Sequence, residues 1–215
     1  MKLFLDSANL DQIREAAGMG YVDGITTNAI LMAEEGIKNR EEAFMHFRKI
    51  CECIDGDVSA RVVSEDVEGI IREGHELSDL HPNLLPKIPL TPEGLRAIKR
   101  LTEEGIRTNC TLVFSVPQAI LAAKVGATYV SVFVGKTEDA RGDGLTLIAD
   151  VAHAFDNYGY ESQILAASIR TTKHVVGCTR FGADALTCSL AMLKQLPVHP
   201  LTEAGLTHFA KADCR

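Results

Sequence analysis

Positive charge is in short supply in this sequence. Twenty-two Lys and Arg face 29 Asp and Glu, a formal net charge of −7, which argues against nucleic acid or an anionic membrane as the main partner. An anionic small substrate would need its own local cluster of Arg or Lys. Paired cysteines are also missing. The six (Cys51, Cys53, Cys110, Cys178, Cys188, Cys214) are scattered through mostly apolar contexts. The one close pair, Cys51 and Cys53, has no further Cys or His at zinc spacing, so the thiols read as reduced and buried. The seven histidines form neither HxH nor HExxH, and neither a metal nor a cofactor is expected. No long apolar run occurs. The opening "MKLFLDSANL" carries Asp6 inside its apolar segment, so neither a signal peptide nor a membrane span is expected, and a cytoplasmic location is. Linkers and low-complexity tracts are absent, and no GxGxxG follows the first apolar run.

What is present is a slow alternation. Short apolar, β-branched runs lie at 3–6, 22–26, 58–63, 84–89, 106–114, 128–134, 162–168 and 182–187. Helical patterns fall between most of them, at 9–19, 39–54, 65–77, 91–105, 115–126 and 143–159. Thr91-Pro92 reads as an N-cap with proline at the first helical position, and Ser115 with Gln118 as a capping box. Gly105, Gly126 and Gly159 read as helix stops. Eight strands alternating with helices in 215 residues fit one compact (β/α)8 barrel, a TIM barrel, spanning 1–215. A doubly wound sheet is the weaker alternative. Residues 198–215 follow the eighth unit as an appended helix.

Alternate residues of a barrel strand face its interior, and chemistry sits at the carboxyl ends of the strands. The last such pairs are Phe4/Asp6, Thr26/Asn28, Ser59/Arg61, Leu85/Lys87, Asn109/Thr111, Ser131/Phe133, Ser168/Arg170 and Ala185/Thr187. Polar groups from so many strands converging on one mouth predict an active site rather than core packing. Lys87, alone in the apolar run "LLPKIPLT", is its centre. Burial and cationic neighbours lower a lysine's pKa, leaving a free amine that attacks carbonyls to give a Schiff base. Asp6 suits general acid/base work when a carbon–carbon bond breaks. Asn28, Asn109, Thr111 and Ser131 suit a polyol, and Ser168, Arg170 and Lys136 an anion. The chemistry indicated is that of a class I aldolase acting on a small, phosphorylated sugar. Pro86, a residue type unusual in a central strand, suggests a local break that aims Lys87.

The stretches "FLDSANLDQIREA", "VDGITTN", "KIPLTPEGLRAIKRLTEEGIRTNCTLVFS", "QAILAAKVGATYVSVFVGK", "ILAASIR" and "HPLTEAGLTHF" resemble the small transaldolase/fructose-6-phosphate aldolase family, in order and over essentially the whole chain. The resemblance implies a Schiff-base lysine at Lys87 and an acid/base aspartate at Asp6. It further implies substrate contacts at Thr26, Asn28, Asn109, Ser131 and Ser168, a water-binding threonine at Thr111 and a phosphate-binding arginine at Arg170. It implies a homo-oligomer, commonly a decamer of two pentamers, with the C-terminal helix on a neighbouring subunit. Phe133 stands where the aldolases carry a tyrosine and favours transfer of dihydroxyacetone; aldolase-type release, or a barrel that only binds a sugar phosphate, are the alternatives. Three departures from the family's pattern stand out: Ala29-Ile30 in place of Pro-Ser, Lys136 in place of Arg, and Arg61 in place of an acid or amide. Arg61 has two candidate roles, an ion pair with Asp6 or a grip on an anionic group of the substrate.

Overall fold

The computed structural model describes residues 1–213; Cys214 and Arg215, the end of the segment expected as an appended helix, lie outside that range. Eight parallel strands close into a barrel in sequence order. They are β1 (Lys2–Asp6), β2 (Gly24–Thr26), β3 (Asp57–Arg61), β4 (Leu84–Pro89), β5 (Asn109–Val113), β6 (Tyr129–Phe133), β7 (Gln163–Ile169) and β8 (Ala185–Cys188). β8 pairs back onto β1 through Lys2↔Ala185 to Leu5↔Cys188. This is the TIM barrel the alternation predicts.

The helices are α1 (Leu10–Gly18), α2 (Ala29–Glu34), α3 (Arg40–Cys53), α4 (Val67–Leu80), α5 (Pro92–Glu103), α6 (Val116–Lys124), α7 (Val134–Asp139), α8 (Gly144–Tyr158), α9 (Thr172–Arg180), α10 (Leu190–Gln195) and α11 (Pro200–Asp213). Their starts are written into the sequence. Thr91 accepts from the Gly94 amide at 2.9 Å and Ser115 from the Gln118 amide at 3.4 Å. Gln118 in turn accepts from the Phe114 amide at 2.9 Å, so the reciprocal bond of the expected box falls one residue before the cap instead of on the Ser115 amide. Such caps contribute about 1 kcal/mol each. Gly105, Gly126 and Gly159 all have positive φ (79°, 88° and 64°), as helix stops require. Four helices, α2, α7, α9 and α10, stand where no helical pattern was expected.

Two packing zones result. The larger lies between the outer strand faces and the helices, through Leu5, Ile25, Val58, Ile88, Val130 and Ile148 among others. The smaller fills the barrel itself with Phe4, Leu85, Tyr129, Leu165 and Ala185. Phe4 and Tyr129 meet edge to face at 5.7 Å. The floor is polar: Lys2 Nζ donates to the Tyr129 hydroxyl at 2.9 Å, and that hydroxyl donates to Asp57 at 2.9 Å. Burial and the Asp57 charge push the Tyr129 phenol well above its usual pKa, so this plug stays neutral and structural. The mouth at the other end is left for chemistry.

β4 runs through Pro86 without interruption. Ala60↔Pro86 and Arg61↔Lys87 continue the register with β3, and pairing with β5 begins at Lys87↔Asn109. The local break expected at Pro86 is not there. The breaks fall elsewhere. Leu112 on β5 and Ser168 on β7 are non-glycine residues in the left-handed region, with φ 63° and 60°, and the ladder register shifts at both. Such backbone costs about 1–3 kcal/mol and concentrates at functional sites.

Candidate active site

Lys87 stands at the last rung that β4 shares with β3, and 9% of its surface is exposed. Its amine donates to one acceptor, the Thr27 carbonyl, at 3.2 Å. Burial lowers its pKa most, the Asp6 carboxylate opposes this, and the charges of Arg61 and Lys136 lower it further. The outcome is an amine held in low dielectric, biased toward the free base, with a carboxylate close by.

That carboxylate is fixed by a short relay. Thr26 Oγ1 donates to Asp6 Oδ1 at 2.7 Å and lies 2.7 Å from Thr187 Oγ1. A hydroxyl has one proton, so Thr187 is the donor to Thr26. Across the barrel a second relay lines the wall. Ser131 Oγ donates to Asn109 Oδ1 at 2.7 Å, and Asn109 Nδ2 donates to Ser59 Oγ at 3.0 Å. Both ends of the Asn109 amide are therefore engaged, which leaves it one Nδ2 proton for a ligand. Thr111 is 4% exposed, follows Asn109 by two on the inner face, and its Oγ1 is buried with no hydrogen-bond partner among the described residues. Leaving a buried hydroxyl unpaired costs about 1–3 kcal/mol, so this one is available to a bound molecule.

Asn28 caps α2, its Oδ1 accepting from the amides of Ile30 and Leu31 at 3.0 and 3.1 Å. Only its Nδ2 end can face the mouth. Phe133 is half-buried, stacks at 5.2 Å on Phe114, and has the Lys136 ammonium 5.3 Å from its ring centre.

Ser168 and Arg170 reach the mouth by a different route from the one expected. Leu165 belongs to the barrel interior, so strict period two would bring residue 169 inward; instead Ile169 packs in the outer core. The left-handed turn at Ser168 reverses the parity, and Arg170 lies just past the end of β7. Both residues press on α7, where a Cβ on Gly135 would stand 2.5 Å from the Ser168 carbonyl, 2.9 Å from Arg170 Nε and 3.0 Å from Ser168 Oγ. Arg170 holds Asp139 with both arms at 2.7 Å, its backbone amide donates to His174 Nδ1 at 3.3 Å, and His174 Nε2 lies 3.0 Å from Glu138. The pair holds the Asp139 carboxyl below its ordinary pKa. Together with the exposed Lys136 this forms a cationic rim over the β6 and β7 ends.

Arg61 does not pair with Asp6. Among the described residues no ion pair or hydrogen bond of its side chain occurs, and it is exposed at the end of β3. The ion-pair role is thereby set aside. Of the pairs that the sequence reading sets at one mouth, hydrogen bonds join Asp6, Thr26 and Thr187 on one side and Ser59, Asn109 and Ser131 on the other, with Lys87 in the fields of Asp6, Arg61 and Lys136. What the sequence reading overlooked are the positioning groups: Thr27, whose carbonyl holds the amine, and Gly135, Glu138, Asp139 and His174 behind Arg170. The run "FVGK" contains Gly135, and its lack of a side chain was the available signal.

The described cysteines are unpaired. Cys51, Cys110, Cys178 and Cys188 are buried, and burial is the main cause that pushes their thiols up to about 12. No helix among the described residues is long and apolar enough to cross a membrane.

Residues 3–214 match the family described as Transaldolase/Fructose-6-phosphate aldolase. A probable transaldolase of Parabacteroides distasonis is 54% identical over 209 residues, covering 97% of this chain and 96% of the relative. One from Bacteroides thetaiotaomicron is also 54% identical, with coverage of 97% and 96%. One from Cytophaga hutchinsonii is 50% identical with the same coverage.

Proposed function

Because the chain belongs to the transaldolase/fructose-6-phosphate aldolase family of enzymes, we propose that it moves a dihydroxyacetone unit between sugar phosphates through a Schiff base on Lys87. The observation that carries this is the amine itself: buried at the mouth, held by one backbone carbonyl, and biased toward its free base.

The Lys87 amine adds to the C2 carbonyl of the donor ketose, and loss of water gives the iminium. Asp6, oriented by Thr26, accepts the proton of the C4 hydroxyl as the C3–C4 bond breaks, and the electron pair flows into the enamine. The aldehyde product leaves. The enamine attacks the acceptor's carbonyl carbon, Asp6 returns the proton, and hydrolysis frees the lysine. The unpaired Thr111 hydroxyl fits the water that is lost and regained. Thr26, Asn28, Asn109 and Ser131 contact the polyol, while Ser168, Arg170 and Lys136 take the phosphate, with Arg170 exchanging Asp139 for the more highly charged group. Phe133 offers no proton to the enamine, which lets it wait for an acceptor instead of being released. Arg61 stands where the family pattern carries an acid or amide, and we place an anionic group of a less ordinary substrate on it. We also propose that the enzyme works in the cytoplasm as a homo-oligomer, a decamer of two pentamers by its family likeness. The apolar residues Leu201, Leu206 and Phe209 of α11, 61–75% exposed in the single chain, are suited to lie on a neighbouring copy.

The test is acceptor dependence. Fructose 6-phosphate is offered with and without erythrose 4-phosphate, and the products are followed by mass spectrometry. Turnover that needs the acceptor supports transfer. Free dihydroxyacetone without acceptor replaces transfer with aldol cleavage. Binding without turnover of any ketose would overturn the reading in favour of a non-catalytic barrel.

A further inference from the structure

Two cationic rims flank the mouth, and the sugar-phosphate reading uses only one. Lys136 and Arg170 sit over β6 and β7. Arg61 ends β3, which lies directly across the closed eight-strand barrel from β7. In the ladder Arg61 is the partner of Lys87, and its charge helps lower the amine's pKa. A guanidinium with five donors, unpaired among the described residues, therefore rises from the strand next to the reacting amine, on the side of the barrel away from Arg170.

Space is provided there as well. A pocket of about 520 Å³ is walled by Thr27, Asn28, Arg61, Lys38 and Glu73 over an apolar floor that includes Met32 and Phe47. Thr27, whose carbonyl holds the Lys87 amine, and Arg61 both line it, so the pocket shares a wall residue with the reacting centre. Its charges are not balanced. Arg40 is paired with Glu76, and Glu73 is occupied by the backbone amides of Val63 and Ser64 and by the Ser64 hydroxyl. Arg61 and Lys38 have no ion pair among the described residues. The hydroxymethyl group of an ordinary ketose donor requires neither two cations nor a volume in the range of whole-ligand sites, about 300–1,000 Å³.

We infer that this site takes a doubly anionic donor, with a phosphate at Arg170 and a second anionic group, a C1 phosphate or a C1 carboxylate, held by Arg61. The inference rests on the Lys87 reading. It alters none of the bonds in that chemistry: the amine adds at C2, water leaves, C3–C4 breaks, the C4 hydroxyl proton goes to Asp6 and the electron pair to the enamine. Either anion is a spectator that fixes the C1 end.

The experiment compares kcat/KM for fructose 1,6-bisphosphate and for 2-keto-3-deoxy-6-phosphogluconate with that for fructose 6-phosphate, in the native enzyme, Arg61→Gln and Arg61→Lys. The ratio is the readout, because Arg61 also acts on the lysine and that effect is common to all donors. One doubly anionic donor is expected to exceed fructose 6-phosphate by about tenfold or more, the size of one charge-assisted hydrogen bond. Gln should abolish that preference and Lys restore part of it. A bisphosphate preference assigns a phosphate to Arg61, and a keto-acid preference assigns a carboxylate. A ratio identical in all three proteins overturns the inference while leaving transfer from fructose 6-phosphate standing. Failure of every donor to form an adduct on Lys87 overturns the reading beneath it.

Discussion

Replacing Gly135 by alanine sets two effects of known sign against each other. Alanine within a helix gains about 1 kcal/mol over glycine from propensity, so α7 alone would be stabilised. The new Cβ, however, would stand 2.5 Å from the Ser168 carbonyl and 2.9 Å from Arg170 Nε. That is roughly 1 Å inside the ~3.5 Å at which non-bonded heavy atoms attract. The carbonyl cannot swing aside freely, because Ser168 already sits at φ 60° in a register shift. Overpacking costs about 1–3 kcal/mol, and against a backbone carbonyl that cannot yield it falls at the upper end, about 2–3 kcal/mol, so the clash wins and the net loss is about 1–2 kcal/mol. For a chain of this size that lowers Tm by about 2–8 °C. The relief available is to move Ser168 and Arg170, which spoils the phosphate clamp. A charge-assisted hydrogen bond is worth about 1.5–3 kcal/mol, so kcat/KM for fructose 6-phosphate should fall about 10–100-fold. An unphosphorylated ketose such as fructose should be far less affected. Thermal melts and parallel kinetics on both donors give the answer. An unchanged or higher Tm, or an equal loss on both donors, would refute the assignment of Gly135, Ser168 and Arg170 to one anion site.

Three further expectations follow from the same geometry. Lys87→Met should be inactive yet melt higher than the native protein at pH 7. The folded-state pKa of Lys87 lies below the ordinary 10.5, so the unfolded chain binds more protons between the two values and native stability rises with pH across that window; the variant's advantage should shrink as pH approaches 10.5. Thr26→Val removes the donor to Asp6 and orphans Thr187, which should lower kcat about tenfold and also lower Tm, with Thr26→Ser recovering most of the rate. Phe133→Tyr supplies a proton donor at the mouth and should raise release of dihydroxyacetone relative to transfer by about tenfold or more, measured as product without acceptor.

The barrel was legible because its strands are short, apolar and β-branched, and because most intervening helices carry caps that can be read from Thr91, Ser115 and Gly159. The missed helices have definite reasons. In α9 the run His174-Val175-Val176 reads as β-branched rather than helical, and packing against β7 and α8 overrides it. α2, α7 and α10 have six residues each, too few for a period of 3.6 to declare itself. Period two found Asp6, Lys87, Asn109 and Thr111 because their strands are regular to that point. It named Ser168 and Arg170 as well, yet the left-handed turn at Ser168 that reverses the parity on β7 was not visible, because a serine there carries no glycine or proline signal. The unpaired state of Arg61 was equally hidden, because ion pairing depends on where two strands' side chains end.

The central claim is that Lys87 forms a covalent imine with the donor. The direct measurement is to incubate the enzyme with fructose 6-phosphate, reduce with borohydride, digest, and locate the added mass by tandem mass spectrometry. The account predicts a three-carbon or ketose adduct on the peptide carrying Lys87, with none in Lys87→Met. An adduct on another lysine, or full turnover in Lys87→Met, would contradict it.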